Sequence, residues 1–229
     1  MAGRIAYYGN TVTNGLVLSL DAAKKDSYPG SGTVWRDISG NGNSGSLVNG
    51  PTYSSGNGGS FIFDGVDDYA DLGNILFTNI TNTTLDIWFN VQTFTGNRAI
   101  FTKGAQGAGS DTTWASWIIS GTTQIRIRFF NSSNASNFVS TLNLTSNVWY
   151  NTVVTYDNSN IVLYNNGSLV ETAPLTGLLK NCTHPIRIAN DLYGNTCNMT
   201  CSGFKIYNRA LSASEILQNY NAQKSRYGL

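Results

Sequence analysis

Apolar and polar residues alternate in short runs over most of the chain. From Thr84 to Val91, Leu85, Ile87 and Phe89 fall on one side and Trp88 on the other. From Gln124 to Phe130, Ile125, Ile127 and Phe129 oppose Arg126 and Arg128. A period of two is that of a β-strand, whose successive side chains point to opposite faces. Leu16-Val17-Leu18-Ser19-Leu20 is almost continuously apolar and reads as a core strand. Further strands are expected at Leu47-Val48, Phe61 to Phe63, Arg98 to Thr102, Trp114 to Ser120, Val148 to Tyr156, Pro185 to Ala189 and Phe204 to Tyr207. Ile161 to Tyr164 and Ser168 to Glu171 flank Asn166-Gly167, a strong two-residue hairpin signal. The segment 50–59 is rich in Gly and Pro, which argues against regular structure there.

One helix stands out. Ser212-Ala213-Ser214-Glu215 is a capping box, and Leu211 and Ile216 have the spacing of a hydrophobic staple. Ala213, Ile216, Leu217 and Tyr220 make its apolar face. About a dozen short strands and one terminal helix predict an all-β, two-sheet antiparallel sandwich with a short C-terminal helix. Residues 15–222 are expected to form that domain and 223–229 a tail. Residues 1–14, with adjacent Tyr7 and Tyr8, read as an arm. It is either an edge strand on its own domain or an assembly arm reaching a neighbouring subunit.

Composition narrows the function. The chain has 229 residues, with 14 Lys plus Arg against 13 Asp plus Glu, a net charge of +1. No basic patch stands out, so nucleic acid is not an expected partner. Charged residues are 12% of the chain, so Asn, Ser, Thr and Gly must supply the polar surface. Met1 to Asn14 lacks the apolar core of a signal peptide, and no run approaches the ~20 apolar residues of a membrane helix. The expectation is a soluble protein without membrane contact, either intracellular or exported by another route. Release within a virus particle is one such route. Several Asn-x-Ser/Thr triplets, from Asn79 to Asn198, are read as chance in an Asn-rich chain.

The stretch Arg36 to Leu72 carries the most local information. DISGNGNSGSLVNGP followed by FIFDGVDDYADLG resembles the opening of bacterial and phage laminin-G-like jelly rolls, in the concanavalin A-like lectin/glucanase superfamily. LDIWFNV, IFTKG, VWYNTVVTYDNSNIVLYNNGSLV and FKIYNRALSASEI continue the likeness in order. GLVLSLDAAKKDSYPGSGTVWRDISGNGN is similar to versions in structural proteins of tailed phages of aquatic bacteria. The resemblance implies a jelly roll and a virion location, or otherwise an extracellular one.

Four chemistries have candidate residues in the chain. Glycoside hydrolysis needs two carboxyl groups flanking the scissile bond. Relatives that hydrolyse glucans carry Glu-x-Asp-x-x-Glu on a strand. Here the two glutamates, Glu171 and Glu215, end a hairpin and cap a helix, and the strand offers Asp86 alone. Nor does His184, the single histidine, have a nucleophile motif beside it. The protein is therefore expected not to be an enzyme. Calcium takes six to eight oxygen ligands. Asp64, Asp67 and Asp68 are the densest acidic cluster, with Asp71 beside them and Asp37, Asn41 and Asn43 able to approach. Relatives often bind Ca²⁺ at one end of the sandwich, although Ser202-Gly203 stands where many have an acidic pair. The plainer reading is that these residues only close a tight turn. Sugar sites need aromatic platforms beside amides and hydroxyls. Trp114, Trp117, Asn190, Asp191 and Tyr193 are the candidates, with Trp35, Trp88 and Trp149 expected in the core or at its edges. Finally, Cys182, His184, Cys197 and Cys201 leave three states open: separate thiols, one disulfide with a free thiol, or a zinc site. The favoured function is a non-enzymatic virion surface protein, a capsid decoration or tail-fibre module that binds host or environmental glycans. It would hold other virion proteins through its arm and is open to homo-oligomerisation. A purely structural cement protein is the alternative.

Overall fold

Alternation becomes a sandwich because each strand has one apolar side to bury. The computed structural model describes residues 10–75, 79–96, 98–104 and 111–229. In chain order its strands are β1 (Leu16–Asp21), β2 (Val34–Trp35), β3 (Gly45–Val48), β4 (Thr52–Ser54), β5 (Ser60–Asp64), β6 (Tyr69–Asp71), β7 (Thr83–Val91) and β8 (Arg98–Lys103). Then follow β9 (Trp114–Ile118), β10 (Ile125–Phe130), β11 (Ser136–Val139), β12 (Trp149–Tyr156), β13 (Asn160–Asn165), β14 (Ser168–Pro174), β15 (Ile186–Ile188) and β16 (Asn198–Tyr207). The helix α1 (Ala213–Gln223) and a 3-10 turn over Lys224–Tyr227 come last. Among the described residues no helix is long and apolar enough to cross a membrane.

The first sheet runs β14-β13-β12-β7-β16-β5-β4, with β1 also against β16. The second runs β11-β10-β9-β8-β15-β6-β3-β2. The pairings are antiparallel. Ile87, Phe89, Phe204 and Ile206 of the first sheet share one core with Ile125, Ile127, Phe129 and Ile188 of the second. Phe101 and Phe204 meet across the layers with ring centroids 5.6 Å apart. The expected all-β jelly-roll sandwich with its short terminal helix is what forms.

Local chemistry sets the details. Asn166 and Gly167 both take positive φ, 49° and 78°, which closes the β13–β14 hairpin with the twist strands prefer. The Ser212 hydroxyl accepts from the Glu215 amide at 3.3 Å, while the Glu215 carboxylate accepts from the Ser212 amide at 2.9 Å. Arg209 clamps the same carboxylate with two donors at 2.8 and 2.6 Å. The Arg209 guanidinium, ahead of the cap, holds the Glu215 carboxyl well below its ordinary 4.5, at about 2.

The short strands β2, β6 and β11 are not expected from the sequence pattern, and two further departures have a visible cause. β4 forms inside the Gly-rich segment because Tyr53 packs on Tyr28 and Phe61, with centroids at 5.0 and 5.8 Å. β16 starts at Asn198 rather than Phe204, so Ser202-Gly203 lies within the last strand, at a register shift.

The outer face of the first sheet is covered by the chain end. Trp88 stacks between Tyr220 and Tyr227, at 5.8 and 4.1 Å. Beside it Asp86 accepts from the Asn151 side-chain Nδ2 at 2.7 Å and lies 3.9 Å from the Lys205 ammonium, itself 3.2 Å from Gln223 Oε1. Of the arm, residues 1–9 lie outside the described residues. Residues 10–14 run along α1: the Val12 amide donates to Asn219, and Gln218 donates to the Asn10 carbonyl.

Tyr227→Ala removes a buried ring from this cover and should destabilise the fold by about 3 kcal/mol in denaturant unfolding. Glu215→Gln should lower stability at pH 7 by about 1 kcal/mol. The carboxylate's contribution is complete above 4.5 and lost as pH falls through about 2. Melting curves of the two proteins should therefore converge over that interval.

Candidate functional site

One end of the sandwich is made by the β5–β6 turn and the β15–β16 loop. In the turn, Asp64 Oδ1 accepts from the Val66 amide at 2.7 Å, and Gly65 supplies a φ of 78°. Asp68 Oδ2 accepts from the Asp64 amide at 3.2 Å. These bonds draw the carboxylates of Asp64, Asp67 and Asp68 to within 4.8 Å of one another. Asp68 is buried, and desolvation, with the Asp64 and Asp67 charges, raises its carboxyl above the usual range despite the bond from the Asp64 amide. The trio is the one such convergence of His, Cys, Asp or Glu ligands among the described residues.

The facing loop starts under strain. Ala189 has φ 68°, and among the described positive-φ residues it alone is neither Gly nor Asn. Strain of this kind concentrates at functional sites. Next to it Asn190 is buried, its Oδ1 without a donor. Asp191 is fully buried and spends its carboxylate inside the loop, on the Tyr193 and Asn195 amides at 2.8 and 3.0 Å and the Asn195 side chain at 2.8 Å. The result is a braced loop that leaves Tyr193 69% exposed. Loop and turn are tied together: Thr196 Oγ1 donates to the Gly65 carbonyl at 2.6 Å, and Arg98 Nη1 donates to the Thr196 carbonyl at 3.0 Å. The structure thus brings the acidic turn and the Asn190–Tyr193 loop to one end.

Trp114 and Trp117 go elsewhere, and apart. Trp114 faces Phe129 in the core and has no exposed face to offer a sugar. Trp117 lies on the outer face of the second sheet, opposite Arg126 in register. Phe138 of β11 stands opposite Arg128. The Arg126 guanidinium sits 4.3 Å from the Phe138 ring centroid, and both arginines lie 5.9 Å from Trp117. Nothing in the linear sequence marks Arg126, Arg128 and Phe138 as site residues. The alternation of β10 shows both arginines pointing outward, but their neighbours follow only from strand pairing.

The remaining candidates are committed to the fold. Asp37 accepts from the Ser19 and Ser39 amides at 2.9 and 2.8 Å and from the Asn43 amide at 3.0 Å. Asn41 and Asn43 donate to the Leu16 and Val17 carbonyls of β1. These residues pin the opening stretch and do not join the acidic trio. Glu171 accepts from the Ser140 and Thr141 amides, leaving neither glutamate in a catalytic pair. Cys182 and His184 are adjacent, the His184 amide donating to the Cys182 sulfur at 3.3 Å. Cys197 and Cys201 are instead in the core, all three thiols are free, and no four-ligand cluster forms. Burial pushes the Cys197 and Cys201 thiols up to about 12, which disfavours the thiolates zinc needs.

Burial, ahead of the Asp64 and Asp67 charges, raises the Asp68 carboxyl, so the folded protein gains stability as pH falls toward that group's titration. Asp68→Asn keeps an oxygen to accept from the Asp64 amide. In chelator at pH 7 it should raise the melting temperature by roughly 2 °C. The gain should shrink on acidification, and equal melting at pH 7 would contradict a cost of keeping this carboxylate charged in the fold.

The fold matches known proteins. The receptor-binding domain of botulinum neurotoxin D superposes with a TM-score of 0.72 at 18% identity, over 92% of this chain and 53% of that one. The serotype D ligand-binding domain in complex with N-acetylneuraminic acid gives 0.70 at 17%, over 93% and 52%. Trypanosoma rangeli sialidase in complex with sialic acid gives 0.68 at 18%, over 93% and 33%. The chain spans about half the length of the neurotoxin domains it matches. No curated protein sequence matches it. A laminin-G profile matches residues 64–217, more than half of the chain, and by that match the chain belongs to the concanavalin A-like lectin/glucanases superfamily.

Proposed function

We propose that the chain is a non-catalytic glycan-recognition protein on the surface of a bacteriophage particle, as a capsid decoration or a tail or fibre component. One observation carries the glycan reading: a strained, Asp191-braced loop holds Tyr193 out in solvent beside an acidic turn. An exposed ring on a preorganised loop is what a sugar's C–H face stacks on. The sialic acid complexes among the structural neighbours support the same ligand class. Both glutamates are bound to backbone amides, which supports a binding rather than a hydrolytic role. The virion assignment rests on the resemblance of the opening stretch to phage structural proteins. The arm, residues 1–14, would engage neighbouring virion proteins. Calcium would sit at Asp64, Asp67 and Asp68, whose hard oxygens suit it and whose mutual repulsion it would relieve.

A glycan array probed with the whole chain tests this. Tyr193→Ala should reduce the signal at least about tenfold without changing the melting temperature. A blank array together with specific retention on purified particles would favour a cement protein instead. Millimolar Ca²⁺ should raise the melting temperature of the native protein over chelator, and not that of Asp68→Asn.

A further inference from the structure

We propose that the outer face of the second sheet is a second binding site, built around Arg126 and Arg128 to take a carboxylate-bearing saccharide. Beyond the loop end, it defines a different place and a charged ligand class.

The geometry is set by alternation and register. Arg126 and Arg128 are two apart on β10 and share its outer face. Trp117 of β9 and Phe138 of β11 flank them. Both guanidinium groups overlie the Phe138 ring, at 4.3 and 5.6 Å, and both lie 5.9 Å from Trp117. Aromatic faces attract the cations but do not cancel their charge.

No anion of the protein does so either. All 13 acidic residues of the chain are among the described residues. The ion pairs formed there use Asp21, Asp71, Asp86, Asp111 and Glu215, and none involves Arg126 or Arg128. The Nε–H of each is shut from solvent and donates to nothing. Burial, then the Arg126 charge, lowers Arg128 below the ordinary guanidinium range. Farther along this face Arg187 is already paired with Asp71 at 3.5 Å. The two β10 arginines are the contrast: crowded, partly dry and uncompensated.

Two forked donors side by side match the two oxygens of a carboxylate; the half-buried Phe138 ring suits a sugar ring, while Trp117, 8% exposed, backs the guanidinium groups. A nucleic acid is disfavoured. It would need a longer basic track, whereas the net charge is +1 and Asp71 stands on the same face.

The test is calorimetric titration of the full chain at 150 mM NaCl with sialyllactose, trigalacturonate, uncharged lactose and a single-stranded DNA oligonucleotide. One of the two acidic sugars should bind at least about tenfold more tightly than lactose. Arg126→Gln and Arg128→Gln should each weaken it about tenfold, and the double variant should abolish it. Glutamine keeps an aliphatic stem over Trp117 and removes the repulsion, so the double variant should melt no lower than the native protein. Arg128→Lys keeps the charge without the fork and should fall between. In a Tyr193→Ala background an acidic sugar should still bind, and that remaining binding should be lost with the Arg126→Gln/Arg128→Gln pair, which separates failure here from failure of the loop-end site. Three results would overturn the proposal: neither acidic sugar binding, binding undiminished in a folded double variant, or DNA bound more tightly than both sugars.

Discussion

Strand β16 is the constraint on which the other layers depend. Along one side it pairs with β7 from Met199 to Tyr207. Along the other it pairs first with β5, over Asn198 to Cys201, and then with β1, over Gly203 to Tyr207. The change of partner falls at Ser202-Gly203. A Cβ on Gly203 would lie 2.9 Å from the Leu20 carbonyl oxygen, too close for any side chain without backbone movement. Glycine is needed there for close approach rather than for unusual dihedrals. An acidic residue at that point would prevent β1 from docking. The same strand carries Phe204 and Ile206 inward and Lys205 outward, so one register sets the core and the outer polar network.

That outer network gives α1 its seat. Asp86 and Lys205 are 1% and 3% exposed, and the Coulombic gain of such a pair at 3.9 Å barely offsets its desolvation. The pair helps position rather than greatly stabilise. Gln223 can bond Lys205 only if α1 lies along this face, and Tyr220 and Tyr227 then close over Trp88. Energy comes from the rings and orientation from the charges.

Features settled within a few residues were legible in the sequence: the Asn166-Gly167 hairpin, the Ser212–Glu215 cap and the clean alternation of β10. Features settled by pairing were not. Trp114 and Trp117 are three apart, so on a strand they must face opposite sides. Which one is core depends on β9 aligning Trp114 with Phe129 and Trp117 with Arg126. β11 was missed because Ser136-Asn137-Phe138-Val139 is short and half polar, yet its Phe138 completes the arginine face. Asp191 looked like a free ligand because nothing in a linear reading shows a carboxylate turned back on its own loop amides.

The two outer faces answer the same physical problem in opposite ways. On the first sheet a cation is buried with an acid beside it and a helix on top. On the second, two cations share one patch with aromatic rings and no acid, although the chain has acids that pair with Arg187, Arg209 and Arg226 elsewhere. Placing like charges together in a partly dry setting lowers stability unless something outside the chain restores the balance. A helix and the chain end lie over the Trp88 side of the first face. Among the described residues no helix lies over the second, and its missing term is a negative charge of about the size two guanidinium forks can hold.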